Sequence, residues 1–318
     1  MANDMAKRDL LIELGTEELP PKALPDLSAA LTEELVRQLD DAGLAHGAVE
    51  SFAAPRRLAV LVRDLADKQA DRQVERLGPA LQAAYDADGK PTKAAEGFAA
   101  SVGLSVDQLD RRDTDKGERL FAQLTEAGRP TVELVPDFLA QAVNKLPIPK
   151  RMRWGRRKVQ FVRPVHWLVA LYGSDVIDFE LLDQRAGRTS RGHRFHAPDA
   201  IELSEAGDYA TRLEQDGKVI ADFPRRREMI RQQAEQAGRD AGGQAHLDEE
   251  LLDEVTALVE WPVALAGRFD DDFLRVPQEA LITAMEEHQK YFPVLDANGK
   301  LTPHFITISN IESRDPQK

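Results

Sequence analysis

The chain has 318 residues, of which 42% are apolar and 31% charged, and a formal net charge of −13. This length predicts more than one domain, and the negative charge argues against bulk attraction to nucleic acid. The absence of cysteine excludes disulfides and thiolate zinc sites and fits a cytoplasmic protein. No stretch approaches about 18 uninterrupted apolar residues, so no membrane span is expected. The first ten residues, MANDMAKRDL, lack the apolar segment of a secretory signal, so no such signal is expected.

The N-terminal segment predicts a compact α+β layer over residues 1–65. An apolar run predicts a strand at about 9–14, and leucines at spacings of three and four predict a helix at about 22–42. Two further strands are expected at about 48–54 and 56–65. The layer should bury one stripe of the helix against the strands.

An acidic turn follows the first predicted strand. Glu17 and Glu18 precede Pro20-Pro21, which cannot lie inside a helix. These carboxylates are either solvated turn charges or members of an ion pair. The second interpretation pairs at least one carboxylate of Glu13, Glu17 and Glu18 with Arg56 or Arg57, at the end of the neighbouring strand. A partly buried pair of this kind would anchor the layer.

The middle of the chain, residues 66–146, predicts a lobe of short helices and a hairpin. Residues 66–90 are polar and predicted irregular, two short helices are expected at about 91–109, a hairpin at 113–127 and a helix at 131–145. This lobe is either an insertion into the first layer or a separate domain.

The remaining residues, 147–318, predict a second α+β domain. Paired strands are expected at 159–173 and 176–182, followed by a loop at 187–198. Helices are expected at 204–215, 224–240, 247–259 and 277–288, a strand at 263–268, and a final hairpin of 291–295 with 304–310.

A basic island interrupts this acidic chain. Residues 145–194 contain 12 Lys and Arg against 4 Asp and Glu. Its candidate RNA contacts are Lys150, Arg151, Arg153, Trp154, Arg156, Arg157, Lys158, Arg188, Arg191 and Arg194. The alternatives are a solvated loop, a surface for an acidic partner or structural hydrogen bonds, and Trp154 could stack on a base or cover a core.

Other polar motifs have mainly structural interpretations. His166 lies in an apolar run and is expected to be a core histidine, and His193 and His196 lack the further ligands that zinc needs. The arginines at 225–227 lie at a predicted helix start, where the helix dipole disfavours positive charge. Their partners are either protein carboxylates or RNA phosphate, or they have none. Residues 285–294 predict a helix-to-strand corner. No phosphate-binding glycine motif and no synthetase signature is present, so no ATP site is predicted. No nucleophile elbow and no H-E-x-x-H motif is present either, so no catalytic residue and no metal site are predicted.

Several segments resemble, in order, the bacterial glycyl-tRNA synthetase beta subunit. They are LIELGTEELPPKAL (11–24), FAAPRRLAVLV (52–62), LPIPKRMRWG (146–155), FVRPVHWLVALYG (161–173), RGHRFHAP (191–198), LVEWPVALAGRF (258–269), HQKYFPV (288–294) and NIESRDP (310–316). The resemblance covers essentially the whole chain.

This resemblance implies a cytoplasmic heterotetramer of two alpha and two beta subunits that ligates glycine to its tRNA. The alpha subunit would carry the catalytic core and use ATP with Mg, so this chain alone should be inactive. The fold should be α+β, in two or three lobes of small mixed or antiparallel sheets, similar to the B3/B4 module of the phenylalanyl-tRNA synthetase beta chain. The expected role is binding of tRNA and of the alpha subunit. The alternatives are a hydrolytic editing module and a pure scaffold for the alpha subunit.

Overall fold

The computed structural model describes residues 6–312, which divide into two units. The first contains the residues up to 67 together with those from 134 onward, and the second contains residues 68–133. The last residues of the NIESRDP segment lie outside the described part of the chain.

The elements in chain order are as follows. The strands are β1 (Lys7–Thr16), β2 (Val49–Ala54), β3 (Arg57–Ala66), β4 (Arg72–Ala80), β5 (Asp110–Thr114), β6 (Gly117–Glu126), β7 (Val165–Tyr172), β8 (Asp175–Val176), β9 (Glu180–Leu181), β10 (Gln184–Gly187), β11 (Thr189–Arg191), β12 (Ala200–Glu202), β13 (Gln244–Ala245), β14 (Val263–Arg268), β15 (Phe292–Leu295) and β16 (Leu301–Ser309). The helices are α1 (Leu24–Asp41), α2 (Leu81–Ala84), α3 (Lys93–Ser101), α4 (Thr131–Lys145), α5 (Tyr209–Gln215), α6 (Phe223–Asp240), α7 (Glu249–Thr256) and α8 (Gln278–Thr283).

The main sheet of the first unit has β1 in its interior. The strand order is β2-β3-β1-β7-β10-β9, and β1 runs antiparallel to both β3 and β7. Successive apolar residues of β1 face opposite sides, so Leu10 and Ile12 join a core with α1, whereas Leu11 joins a core with α5. A strand that is covered on both faces needs such a continuous apolar run. Glu13 is the one charged residue in this run, and it lies on the same face of β1 as Leu11.

This sheet changes the predicted division of the chain. Because β7 pairs with β1, the residues predicted as separate lobes at 1–65 and 147–318 share one sheet and belong to one unit. The predicted strand at 159–173 is shorter, since Val165 starts β7, and residues 159–164 contribute only an isolated bridge of Phe161 with Met152.

A second, four-stranded sheet lies in the C-terminal part of the first unit. Its order is β13-β15-β16-β14. Apolar side chains of α6 and α7 form a core with Phe292, Val294 and Ile306 of its strands. The helices, the strand and the hairpin expected in this region are all present, and α8 continues as a π-helical turn over Ala284–Gln289.

The second unit is a small antiparallel sheet with two helices. Its order is β4-β6-β5, and Ala84, Ala95 and Leu120 form its core. The prediction of irregular structure over 66–90 was wrong, because β4 occupies Arg72–Ala80. Most side chains of β4 are exposed, so its sequence carries no apolar alternation, and only the pairing with β6 makes it a strand.

These observations confirm the predicted α+β class with small, mainly antiparallel sheets. Within residues 6–312, no helix is long and apolar enough to cross a membrane.

Candidate functional site

A cluster of buried charges lies at one end of the main sheet. The Glu13 side chain has no exposed surface and accepts four hydrogen bonds. Its Oε1 accepts from Arg57 Nη1 at 3.1 Å, Ser190 Oγ at 2.9 Å and the Tyr209 hydroxyl at 2.9 Å, and its Oε2 accepts from Trp167 Nε1 at 2.9 Å. A carboxylate so fully engaged is a structural acceptor and not an available acid or base.

Arg57 joins Glu13 to a distant part of the chain. Its guanidinium also donates to Glu260 Oε1 at 3.2 Å and to the carbonyl of Arg191 at 2.8 Å, and it has no exposed surface. Burial opposes the charge, but Glu260 and Glu13 outweigh burial and raise the pKa of Arg57. Burial and the Glu13 charge raise the pKa of Tyr209 well above its ordinary value. Arg57 therefore stays charged and Tyr209 neutral at neutral pH.

Close packing of Trp167 against Gly15 brings the indole within reach of Glu13. A Cβ atom at Gly15 would lie 1.8 Å from the Trp167 ring, which no side chain could tolerate. The glycine of the acidic-turn motif is therefore needed for the approach of β7 to β1.

Carboxylates of the protein neutralise two of the three arginines at the start of α6. Arg225 pairs with Glu214, and Arg227 pairs with Glu249 and Asp253. Of the three alternatives, protein carboxylates are therefore the partners of these two arginines. Arg226 is buried, and burial lowers its pKa to about 9.

Arg226 is held by backbone carbonyls instead of a carboxylate. It donates to Ala53 at 2.7 Å, to Thr256 at 3.0 Å and to Ile220. Because these carbonyls belong to β2, α7 and the segment before α6, this arginine connects the main sheet to the helices of the second sheet.

A half-exposed group of charges borders the buried cluster. Arg194 Nη2 lies 2.7 Å from Glu17 Oε2, and His166 Nε2 lies 3.5 Å from Glu17 Oε1. Burial raises the pKa of Glu17, but the hydrogen bond and charge of Arg194, with His166 and Arg56, lower it overall. Burial, with Arg57 and Arg194 nearby, lowers the pKa of Arg56.

These contacts differ from several sequence predictions. Glu17 pairs with Arg194 and not with Arg56 or Arg57, and Glu18 is exposed. The expectation of a core histidine at 166 was wrong, because His166 is exposed near the start of β7.

Glu13 is the carboxylate of the opening motif that pairs with Arg57. Sequence reasoning missed Glu260 as the second carboxylate on Arg57, and it missed the other donors to Glu13, which are Trp167, Ser190 and Tyr209. A glutamate inside the run LLIEL was a signal for Glu13. No local pattern marks Glu260.

The candidate RNA contacts do not form one uniform surface. Lys150, Arg156 and Lys158 are exposed and have no hydrogen bond or ion pair with the rest of residues 6–312. Arg153 is exposed, whereas Arg151 donates to the carbonyl of Asn144 at 3.1 Å.

Other candidates of the basic island have structural contacts. Arg157 lies 3.8 Å from Asp183, and Arg188 donates to the carbonyls of Ser174 and Leu203. The Arg191 side chain is exposed, although its carbonyl accepts from Arg57. Trp154 is partly buried against the first core, as expected of a side chain that covers a core.

The two histidines of the RGHRFHAP segment organise a turn. His193 is buried, and its Nδ1 accepts from the backbone N–H groups of Phe195 and His196. Burial lowers its pKa. Across residues 6–312, no group of three or more His, Cys, Asp or Glu side chains is placed to hold a metal ion.

The buried and exposed charges of this region differ in their partners. The buried Glu13 carboxylate accepts four hydrogen bonds, whereas the basic loop of residues 150–158 presents cationic side chains with no ion pair among residues 6–312. Exposed cationic side chains of this kind can hold anions.

The chain belongs to the glycyl-tRNA synthetase beta subunit family, whose model matches residues 10–318, and this confirms the resemblance found in the sequence. It is 57% identical over 315 residues to a glycine–tRNA ligase beta subunit of Marinobacter nauticus, which covers 99% of this chain and 46% of that protein. Proteins of the same name from Chromohalobacter salexigens and Klebsiella pneumoniae strain 342 are 55% and 52% identical, each over 99% of this chain and 45% and 46% of their own lengths. The chain thus spans about half the length of these relatives.

Proposed function

We propose that this chain is the non-catalytic part of a glycine–tRNA ligase beta subunit that contacts tRNA and supports association with the alpha subunit. The relatives are named glycine–tRNA ligase beta subunits, which supports the assignment of this chain to such a ligase. The alpha subunit would supply ATP-dependent activation in an α2β2 assembly in the cytoplasm. The similarity to a B3/B4 module is part of the same proposal.

The exposed basic loop, residues 150–158, is the observation that carries the proposed tRNA contact. Lys150, Arg156 and Lys158 are charged, solvent-exposed and unpaired within the described residues, so phosphate contact would break no internal ion pair. Gly155 has a φ of +57°, which turns the backbone sharply between Trp154 and Arg156. Each phosphate neutralised by such a loop releases counterions, which makes binding depend strongly on salt.

Exposed apolar side chains support the proposed association with the alpha subunit. Phe273, Leu274 and Val276 lie in and just after a 3-10 turn at Asp271–Arg275, and Phe273 is 56% exposed. Apolar groups concentrated on a surface favour protein contacts.

The test of the tRNA contact is a salt titration of tRNA binding by the assembled alpha–beta complex. The variant replaces Lys150, Arg156 and Lys158 by alanine. The control replaces Arg72, Lys93 and Lys116, which are also exposed and lack an ion pair in the described residues, so the loss of charge is the same.

We expect the loop variant to bind more weakly and to lose about one unit of log–log salt slope for each lost phosphate contact, up to about three units. The control should keep the slope of the parent complex. An unchanged slope and affinity in the loop variant would refute the proposed contact. Release of the amino acid from charged tRNA by the chain would instead favour the editing alternative.

A further inference from the structure

An apolar groove lies beside the basic loop, between the start of α1 and the linker that follows α4. Its volume is about 430 Å³. The groove is lined by prolines at positions 20, 147 and 149 and by apolar side chains that include Leu27, Ile148, Met152 and Val162. Within residues 6–312, its charged lining residues are Lys150 and Arg163, and no carboxylate belongs to the lining.

Backbone hydrogen bonds hold both walls of this groove. The N–H of Met152 donates to the carbonyl of Phe161 at 2.8 Å, and the N–H of Phe161 donates back to Met152 at 3.2 Å. On the other wall, the N–H of Ala23 donates to the carbonyl of Pro20 at 3.0 Å. The prolines restrict the backbone further. Because the groove exists before a ligand arrives, binding there orders little of the chain.

The Arg163 guanidinium is held in a fixed plane at the groove. Its Nε donates to the carbonyl of Glu18 at 3.0 Å, and its Nη1 donates to the carbonyl of Val162 at 3.1 Å. Glu18 thus contacts Arg163 through its backbone, and its carboxylate forms no ion pair with Arg163. A planar guanidinium of this kind can stack on the face of a nucleobase.

The linker that forms one wall carries more positive charge than its carboxylate partners offset. Residues 145–163 contain eight Lys and Arg and no Asp or Glu. Two of the eight are paired, Lys145 with Glu34 at 2.7 Å and Arg157 with Asp183 at 3.8 Å. The other six, at positions 150, 151, 153, 156, 158 and 163, form no ion pair among the described residues. The occupant of the groove should therefore combine apolar surface with negative charge.

The geometry points to a groove that takes an unstacked base of a single-stranded nucleic acid, whose phosphates lie along the basic loop. The base offers a flat apolar face, and the adjoining phosphates offer the negative charge that Lys150 and Arg163 attract. Duplex bases stay stacked inside the helix, so such a groove selects a single-stranded segment. This inference rests on the proposed tRNA contact and specifies which part of an RNA makes it.

The test is fluorescence anisotropy of the 318-residue chain with two labelled RNA strands of equal length. One strand is an oligoadenylate, and the other is an abasic strand with the same number of phosphates. We expect the oligoadenylate to bind about fivefold to tenfold more tightly, because a base held in the groove adds to the phosphate contacts. The affinities for both strands should fall with salt at the same slope, because their phosphates are equal in number.

Two variants, Met152→Ala and separately Ala23→Phe, change the groove without changing any charge. Met152→Ala removes a side chain that is 38% exposed and keeps the backbone bonds to Phe161, whereas Ala23→Phe fills the groove from the opposite wall. Each should weaken oligoadenylate binding about threefold or more and leave abasic binding unchanged. Leu265→Ala is the control, because Leu265 is 43% exposed and belongs to β14 of the other sheet. It should bind both strands as the parent chain does.

The outcomes separate this inference from the proposed tRNA contact. Equal, salt-dependent binding of the two strands would overturn the groove assignment and leave the phosphate contact intact. Binding of neither strand would overturn both. A peptide of glutamate and leucine with the same net charge is the competitor. If it binds more tightly than the oligoadenylate and loses affinity in Met152→Ala, the groove belongs to a protein partner and the inference is wrong.

Discussion

Replacing Glu13 by glutamine tests the buried charge cluster. The substitution keeps the side-chain volume but leaves Arg57 with one carboxylate, Glu260, and places an NH2 group among donors. The present carboxylate accepts from Arg57, Ser190, Tyr209 and Trp167. If the amide oxygen takes the Oε1 position, the new NH2 group must face the N–H of Trp167.

Arg57 keeps Glu260 as its charge partner, so the cost comes from the lost hydrogen bonds. The expected loss of unfolding free energy is about 3–5 kcal/mol, since a buried donor left unsatisfied costs about 1–3 kcal/mol and a bond to a charged group contributes about 1.5–3 kcal/mol. Glu17→Gln is the matched control. Its pair with Arg194 is half exposed, and such pairs contribute about 0–1 kcal/mol.

Urea unfolding followed by tryptophan fluorescence is the appropriate assay. Trp154, Trp167 and Trp261 are the three tryptophans of the chain, and all belong to the first unit, so the signal reports on the unit that contains Glu13. A loss below about 1 kcal/mol for Glu13→Gln, similar to that of Glu17→Gln, would refute the role assigned to the cluster.

Two further outcomes follow from the packing and the charges of the first unit. Gly15→Ala would place a Cβ atom 1.8 Å from the Trp167 ring, so we expect the free energy of unfolding to fall by about 1–3 kcal/mol or more and the tryptophan emission to change. Gly187→Ala is the control and should change little, because nothing lies within 4 Å of the added Cβ atom. Hydrogen bonds from Arg37 and Lys145 lower the pKa of Glu34 from 4.5 to about 2. Its contribution should therefore be complete above pH 4.5 and lost as the pH falls toward 2, and urea midpoints at pH 5 and 2.5 should differ less in Glu34→Gln than in the parent chain.

Local periodicity was sufficient to predict most of the elements of the first unit. The leucines of α1 and the apolar run of β1 were recognisable because each buries a face with a regular repeat. The basic loop was recognisable because prolines and a glycine exclude a helix there. The exposed strand β4 was not recognisable, because its polar residues carry no repeat of period two.

The partners within the charge cluster could not be predicted, because they depend on which strands become neighbours. Glu260 meets Arg57 across 203 positions of the sequence, and Arg194 meets Glu17 across 177. His166 shows a related difficulty. It lies on the same face of β7 as the buried residues Leu168 and Ala170, but the side chains that cover this face do not extend as far as His166. Alternation in the sequence shows on which face of a strand a side chain lies, but it does not show how far along the strand other elements cover that face.

The interior position of β1 has a consequence for synthesis on the ribosome. β1 can pair with β3 once residue 66 has emerged, but its other edge stays unpaired until β7 is complete at residue 172. At about 5–20 residues per second, that edge waits on the order of 5–20 s. An apolar strand with a free edge is a template for pairing with other chains. The nascent chain therefore passes through an interval in which aggregation competes with folding, and a faster arrival of β7 would shorten it.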